Sequence, residues 1–409
     1  MRNNYLETKD WSKYVSNYEK GKLKYSLNNI RKAIKINGNP GLSIPAIQII
    51  GTNGKGSITS FIENVLKRSS IKVGATTSPH LFDVTERIRI NGVEISHHEL
   101  LNLFSEINNK INNLNLTPFE LITLSSLIYF SRENVDLILL EAGLGGRLDA
   151  TTAHSLRPII AIGRIAIDHQ KYLGNDIKKI TKEKLAVINK GSTIISCSQS
   201  HEVSKILEKK ALEKKADLIW VKPIDQSWDL GLKGEIQRDN AAVAYESIKA
   251  LNLFGWRIQK SIIQEGFQMT RWPGRMDFNS YKGIKILIDC AHNPEGAKQL
   301  SYECSLIKTR ELGINWIIGI QRQKKGNEFI KIVLRENDFA WIVPIENHIT
   351  WKASDFKTKL PNLSESIKES KSIDNSLREI ISNKEFRERQ TVITGSIFIA
   401  AKSLKLIQL

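Results

Sequence analysis

Gly51-Thr52-Asn53-Gly54-Lys55-Gly56-Ser57 decides how this chain is read. The apolar run Ala46-Ile47-Gln48-Ile49-Ile50 before it reads as a buried strand. After it, Ile58, Phe61, Ile62 and Leu66 lie close to a helical stripe within Ile58 to Arg68. A strand, a glycine-rich turn and a helix N-terminus make a phosphate cradle. Glycines let backbone N–H groups converge on an anion, and the helix dipole favours negative charge there. Lys55 supplies a point charge for the outer phosphates, and Ser57 a hydroxyl near a metal. Gly56 stands between Lys55 and Ser57, so the loop is a variant of the common P-loop, in which Gly-Lys is followed directly by Ser or Thr.

Outward from this loop, strands and helices alternate, which predicts parallel sheets with crossover helices. Strands are expected at Ile71–Thr76, Val135–Glu141, Pro158–Arg164, Ser192–Ser196 and Asp217–Val221. Helices are expected at His97–Asn112, Phe119–Arg132, Lys178–Ile188, Glu202–Lys214 and Arg238–Leu251. Trp272-Pro273-Gly274-Arg275 reads as a boundary turn, after which the register restarts. Gly283–Asp289, Ile314–Gly319, Phe339–Val343 and Gln390–Thr394 are strands of the second series, and Pro294 opens a helix. Asn362 to Lys371 reads as loop or helix surface. The expected fold is α/β, with a nucleotide-binding domain over 1–275 and a smaller α/β domain over 276–409.

The 409 residues suffice for two or three domains, and 41% hydrophobic with 25% charged residues is ordinary globular usage. No run of about 18 apolar residues appears, which argues against a membrane span, and no membrane partner is expected. Met1 to Lys13 has no apolar core of a secretory signal. Cys197, Cys290 and Cys304 are the only cysteines, a sparse odd set that fits a reducing cytoplasm better than a disulfide framework. A net charge of +17 raises the question of nucleic acid, but the lysines are scattered and no nucleic-acid motif stands out. A basic cleft for polyanionic small molecules is the better reading.

Glu141 ends an apolar strand and is followed by Ala142-Gly143-Leu144-Gly145-Gly146-Arg147-Leu148-Asp149. Ligands gather at the carboxyl ends of strands in open α/β sheets, and a carboxylate beside a P-loop suits Mg²⁺, which prefers hard oxygen ligands. Taken alone, Ser78 in Thr77-Ser78-Pro79-His80-Leu81 reads as a cap or turn residue, and Asp168-His169 as structural. Lys184 beside Glu183 reads as half of a solvated helical charge pair. Asp289-Cys290-Ala291-His292-Asn293-Pro294 sits at a second strand end, preceded by Arg275. These residues can reach a nucleotide across an interdomain cleft, or Asp289 and Asn293 can cap the helix that Pro294 opens.

Together these segments resemble folylpolyglutamate synthase and the bifunctional dihydrofolate synthase, members of the Mur ligase superfamily. The resemblance runs in order across nearly the whole chain. After the P-loop and Ser78 segment come Glu86-Arg87-Ile88, Asn91-Gly92, Phe119-Glu120 and Glu141 to Thr151. Asp168-His169, Leu173-Gly174, Glu183-Lys184 and Asn240-Ala241 follow, then Trp272 to Arg275, Asp289 with Ala291 to Pro294, and Gly395-Ser396. It implies a Mur-ligase-like P-loop ATP-binding domain and a smaller Rossmann-like C-terminal α/β domain. It implies ATP contacts from Thr52, Asn53, Gly54, Lys55, Gly56 and Ser57, and from Asn240, Arg275 and Asp289. It implies Mg²⁺ ligation by Ser78, Glu141 and His169, a carbamylated Lys184, and Lys55, Lys184, His169 and His292 as catalytic groups. The pterin-side substrate is expected near Thr117, Phe119, Leu148, Asp149 and Ala150.

The implied reaction is ATP-driven amide formation through an acyl phosphate, with L-glutamate as the amine and dihydropteroate or a folate tail as the acid. The implied partners are these small molecules, acting on a cytoplasmic monomer. The alternative is a Mur-type amino-acid ligase for another carboxylate; one acting on a sugar nucleotide predicts a further N-terminal domain for the UDP group. A non-catalytic nucleotide-binding protein would tolerate loss of Glu141, His169 or Lys184. The chain departs from the family pattern at Gln48 (often His), Thr152 (usually Asn), Cys290 (Gly) and Gln323-Lys324-Lys325 (often Asp-Lys-Asp).

Overall fold

A computed structural model describes residues 26–111, 114–307 and 310–407. The reading of Met1 to Lys13, and Asn112 at the end of a predicted helix, fall outside them. The chain divides into two compact units. One comprises residues up to Ala166, Leu173–Gly231 and Gln237–Arg271; the other comprises Ile167–Tyr172, Leu232–Ile236 and the chain from Trp272 onward.

The first unit carries an eight-stranded sheet. Its strands are β1 (Ala46–Ile50), β2 (Val73–Thr76), β3 (Ile88–Ile90), β4 (Val93–Glu94), β5 (Leu137–Glu141), β6 (Ile159–Ile162), β7 (Thr193–Ser196) and β8 (Asp217–Trp220), in the order β4-β3-β2-β5-β1-β6-β7-β8. Every pairing from β2 to β8 is parallel. β1 and β5 are buried at all five positions, as strands covered by helices on both faces must be. The helices are α1 (Asn28–Ile36), α2 (Lys55–Leu66), α3 (His97–Lys110), α4 (Pro118–Arg132), the short α5 (Gln170–Leu173), of which Gln170–Tyr172 belong to the second unit, α6 (Ile177–Leu185), α7 (His201–Lys214), α8 (Ile236–Lys249) and α9 (Lys260–Gln268). α1 was not anticipated; it buries Ile30, Ala33 and Ile34 in a core shared with α3 and α4.

The second unit holds a six-stranded sheet of β9 (Asp277–Tyr281), β10 (Ile284–Ile288), β11 (Ile314–Ile318), β12 (Phe339–Ile342), β13 (Ile367–Glu369) and β14 (Gln390–Thr394), ordered β13-β12-β11-β14-β10-β9. All pairs are parallel except β9–β10. α10 (Pro294–Ser305) follows β10, and α11 (Gly326–Val333) follows β11. Asp338, fully buried, accepts from Arg310 at 2.6 Å, Ile314 N–H at 2.8 Å and Trp316 Nε1 at 3.0 Å, so this buried charge is matched by donors.

Two departures from simple alternation have one cause. β3–β4 and β9–β10 are antiparallel hairpins closing on Asn91-Gly92 (φ +50° and +77°) and Lys282-Gly283 (φ +47° and +83°). Left-handed conformations at both turn positions match the twist of the flanking strands. The expectation of loop or helix surface over Asn362–Lys371 is corrected: Ile367–Glu369 is an edge strand paired with β12. Only Ile367 of its three residues is buried, too little for an alternating pattern to register.

Candidate active site

In the first unit the chemistry gathers at the carboxyl ends of β1, β2, β5 and β6. Gly54, at φ +88°, is the N-cap of α2, which has no side-chain cap of its own. A Cβ on Gly54 would collide with Asn240 Oδ1. The left-handed backbone and the packing of Asn240 therefore both exclude a larger residue here. The Thr52 hydroxyl donates to Ala166 O at 2.8 Å and accepts from Ala166 N–H at 2.9 Å, tying the loop to the segment after β6.

Two lysines converge on one carbonyl. Lys55 Nζ donates to Gly51 O at 3.3 Å, and buried Lys184 Nζ donates to the same oxygen at 3.0 Å. The reading of Lys184 as half of a solvated charge pair is corrected, because Glu183 pairs instead with Arg147 at 2.9 Å. Lys184 is placed by the glycine loop after β5. A Cβ on Gly146 would run into the Lys184 carbonyl, and Arg147 N–H donates to Glu183 O at 3.0 Å. Two like charges beside a loop of N–H groups make a strongly anion-seeking point.

Glu141, buried, pairs in register with Ile49, two residues before Gly51. Ser78 lies two residues past the end of β2, the other neighbour of β5. Its Oγ is buried and has no hydrogen-bond partner. An orphaned oxygen near a strand-terminal carboxylate fits a hard cation. Among the described residues no three His, Cys, Asp or Glu side chains cluster as a protein cage. Mg²⁺ does not require one, since it retains waters and phosphate oxygens among its ligands.

The expected pterin-side residues sit around the same loop. Thr117 is the N-cap of α4, and its hydroxyl accepts from Glu120 N–H at 3.1 Å. The Phe119 ring lies where a Cβ on Gly143 would be, 2.9 Å from that position. Leu148 packs on the core, and Ala150 is buried. Asp149 accepts from Gly143 N–H at 2.8 Å, Leu144 N–H at 2.9 Å and Thr151 N–H at 3.0 Å. Burial pushes its carboxyl up, and these donors act against the rise. Its oxygens thus shape the glycine loop. The departures at Gln48 and Thr152 meet: buried Gln48 Nε2 donates to Thr151 Oγ1 at 3.0 Å and Thr152 Oγ1 at 3.1 Å, and Arg157 donates to Gln48 Oε1. Thr152 passes the link on to Gly146 O at 2.8 Å.

In the second unit the ends of β10, β11 and β14 carry the polar groups. Asp289 Oδ2 accepts from Met276 N–H at 3.0 Å and Oδ1 from Ala291 N–H at 2.8 Å. Burial pushes this carboxyl up, opposed by the Arg275 charge. Asn293 caps α10 through Gly296 N–H at 2.8 Å, whereas Asp289 holds the turn before that helix. Cys290 is buried against Gly274, and Lys325 pairs with Glu328 at 2.7 Å.

The group that sequence reasoning left without a role is Asp168. Its Oδ1 accepts from Lys324 Nζ at 2.6 Å and His169 N–H at 2.7 Å, and its Oδ2 from His292 Nε2 and Asn293 Nδ2, each at 3.1 Å. Burial alone would push this carboxyl up. The His292 bond and charge, then Lys324 and His169, outweigh it and hold it well below the usual carboxylate range. Asp168, His169, Asn293, Lys324 and Lys325 are among the residues that line an open hollow.

Residues 275–406 match the family model for the dihydrofolate synthetase C-terminal domain. The dihydrofolate synthase/folylpolyglutamate synthase of Buchnera aphidicola subsp. Baizongia pistaciae is 31% identical over 367 residues, covering 86% of this chain and 85% of that protein. The probable dihydrofolate synthetase of Schizosaccharomyces pombe is 29% identical over 416 residues, 95% of this chain and 99% of that one. E. coli FolC, solved in complex with DHPP and ADP, superposes with a TM-score of 0.86 at 25% identity over 97% of each chain. Mycobacterium tuberculosis folylpolyglutamate synthase, solved with ADP and AMPPCP, has the same fold, with a TM-score of 0.84 at 23% identity over 94% of this chain and 96% of that one. With its parallel-sheet P-loop unit, its second α/β unit and this identity over most of its length, the chain belongs to the dihydrofolate synthase/folylpolyglutamate synthase family.

Proposed function

We propose that this chain is an ATP-dependent ligase that joins L-glutamate to dihydropteroate, to the γ-carboxylate of a folate tail, or to both. The observation that carries the proposal is the convergence of Lys55 and Lys184 on the Gly51 carbonyl, at the head of an uncapped helix and beside the strand that ends in Glu141. That arrangement suits a triphosphate.

A carboxylate resists attack by an amine because oxide would have to leave. Phosphoryl transfer from ATP makes it an acyl phosphate, and the glutamate amine then displaces phosphate through a tetrahedral oxyanion. Lys55 and the loop N–H groups stabilise charge on the phosphate oxygens, and the closely packed loop holds them in place without reorganisation. Ser78, Glu141 and His169 are the residues proposed to hold Mg²⁺. Bound, the ion would neutralise phosphate charge and align the transferring group. Lys184 is also proposed as a carbamylation site; so modified it would be an anion able to serve a second metal, leaving Lys55 and the N-terminus of α2 to attract the triphosphate. Asn240, Arg275, Asp289 and the loop residues Thr52 to Ser57 are proposed ATP contacts, His292 a catalytic group, and Thr117, Phe119 and Leu148 to Ala150 the pterin side. An ATP-binding domain over 1–275 and a glutamate-ligase domain over 276–409, in a cytoplasmic monomer, complete the proposal; no helix among the described residues is long and apolar enough to cross a membrane.

A coupled ADP-release assay tests it, with ATP, Mg²⁺ and L-glutamate and with dihydropteroate or tetrahydrofolate offered separately. Turnover with one acceptor or both supports the reading and identifies the substrate. No turnover with either defeats it.

A further inference from the structure

We propose that Asp168 is a positioning residue for ligation: one buried carboxylate gathers His292, Asn293, Lys324 and the backbone of His169 into a single array beside the hollow of the second unit. The inference rests on the ligase reading above and adds to it a group that orients the catalytic imidazole.

The four donors come from three stretches of chain, separated from Asp168 by up to 156 residues. The three side-chain donors' residues are each also held from a second side. His292 Nδ1 faces Cys290 O at 2.9 Å, Asn293 Oδ1 caps α10, and the Lys324 carbonyl accepts from Trp351 Nε1 at 3.1 Å. The two nitrogens of the His292 ring thus face Cys290 O and Asp168 Oδ2, which fixes the plane and direction of the ring. Asp168 itself is 6% exposed and accepts one pair of donors on each oxygen, while the His292 side chain keeps 31% exposure and Lys324 14%. The carboxylate therefore acts through its neighbours. Without it, a cation and an imidazole would keep their reach but lose the anchor that fixes their direction, and misaligned groups cost rate.

The test uses the full-length protein carrying D168N, K324A or both. The expected result for D168N is a fall in kcat with saturating glutamate of about 10- to 100-fold, the scale found when an orienting partner is lost. The KM for ATP should stay within about threefold, because K324A and D168N disturb orientation without touching the P-loop. In the D168N background K324A should add little, because both remove one interaction. An unchanged kcat, or K324A costing the same factor in both backgrounds, overturns the proposal. Crystal structures of wild type and D168N give a readout that does not need activity. Displaced His292 and Lys324 side chains support the positioning role, and unmoved ones overturn it. Absence of turnover in the wild type would instead defeat the ligase reading and leave the structural comparison as the arbiter.

Discussion

The glycine loops of the first unit and the carboxylate array of the second hold their functional groups by opposite means. Around Gly51–Gly54 and Gly143–Gly146 the backbone does the placing: left-handed φ values, close approach and N–H groups aimed by a turn. Around Asp168 side-chain charge does it, with one anion holding an ammonium and an imidazole. A backbone cradle depends on steric room, so adding a single carbon should damage it. A charge array depends on matched ions, so removing a charge should damage it. The placement of groups should therefore be disturbed by glycine-to-alanine changes in the first region and by charge-neutralising changes in the second, apart from the loss of any group that itself acts on substrate.

The largest effect should come from removing the cradle's own charge. Lys55→Ala and Glu141→Ala are each expected to lower turnover by about 100-fold or more, the scale of a lost electrostatic contact to the transferring group. Steady-state ADP release measures this, and near-wild-type rates would remove both residues from the assigned roles. Next is Gly146→Ala. The added methyl meets the Lys184 backbone, so stability should fall by about 1–3 kcal/mol in chemical denaturation. Unchanged stability would mean that the loop is looser than its packing implies.

A pH effect of similar size comes from His154, buried behind the Asp149 turn with Nε2 facing Gly41 O at 3.0 Å. Burial lowers its pKa to about 4 from 6.5. The unfolded chain then takes up a proton below pH 6.5 that the folded one refuses until about pH 4. Stability is therefore complete above 6.5 and declines as pH falls through that window, by about 2 kcal/mol at pH 5. Denaturation of wild type and His154→Gln at pH 7 and pH 5 should show a steeper decline in wild type; parallel declines would contradict it. The smallest effect is expected at Lys325, whose pairing with Glu328 is partly exposed. Lys325→Ala should change stability by less than about 1 kcal/mol. A larger loss would mean that the second region extends further than the Asp168 array.

Much of the first region was legible because its constraints are local. A strand, a glycine turn and a helix start occupy adjacent residues, and β1 has the bounds read from its apolar run. The hairpin at Asn91-Gly92 was equally legible in principle, since both turn positions carry their conformational signal in the residue types. Lys184 was not: its neighbour Glu183 suggested a surface pair, and only packing of the Gly146 loop directs its ammonium to a carbonyl 133 residues away. Gln48 and Thr152 likewise looked like unrelated departures until they were found to share a hydrogen bond.

The sequence by itself determined the strand, glycine turn and helix start at Gly51–Ser57, the parallel α/β order and the family, because sterics and periodicity act over a few residues at a time. Only the tertiary structure decided which charges share a partner. Electrostatic pairing depends on distance through space, and Asp168 meets His292 and Lys324 from 124 and 156 residues away, a separation that no local pattern encodes.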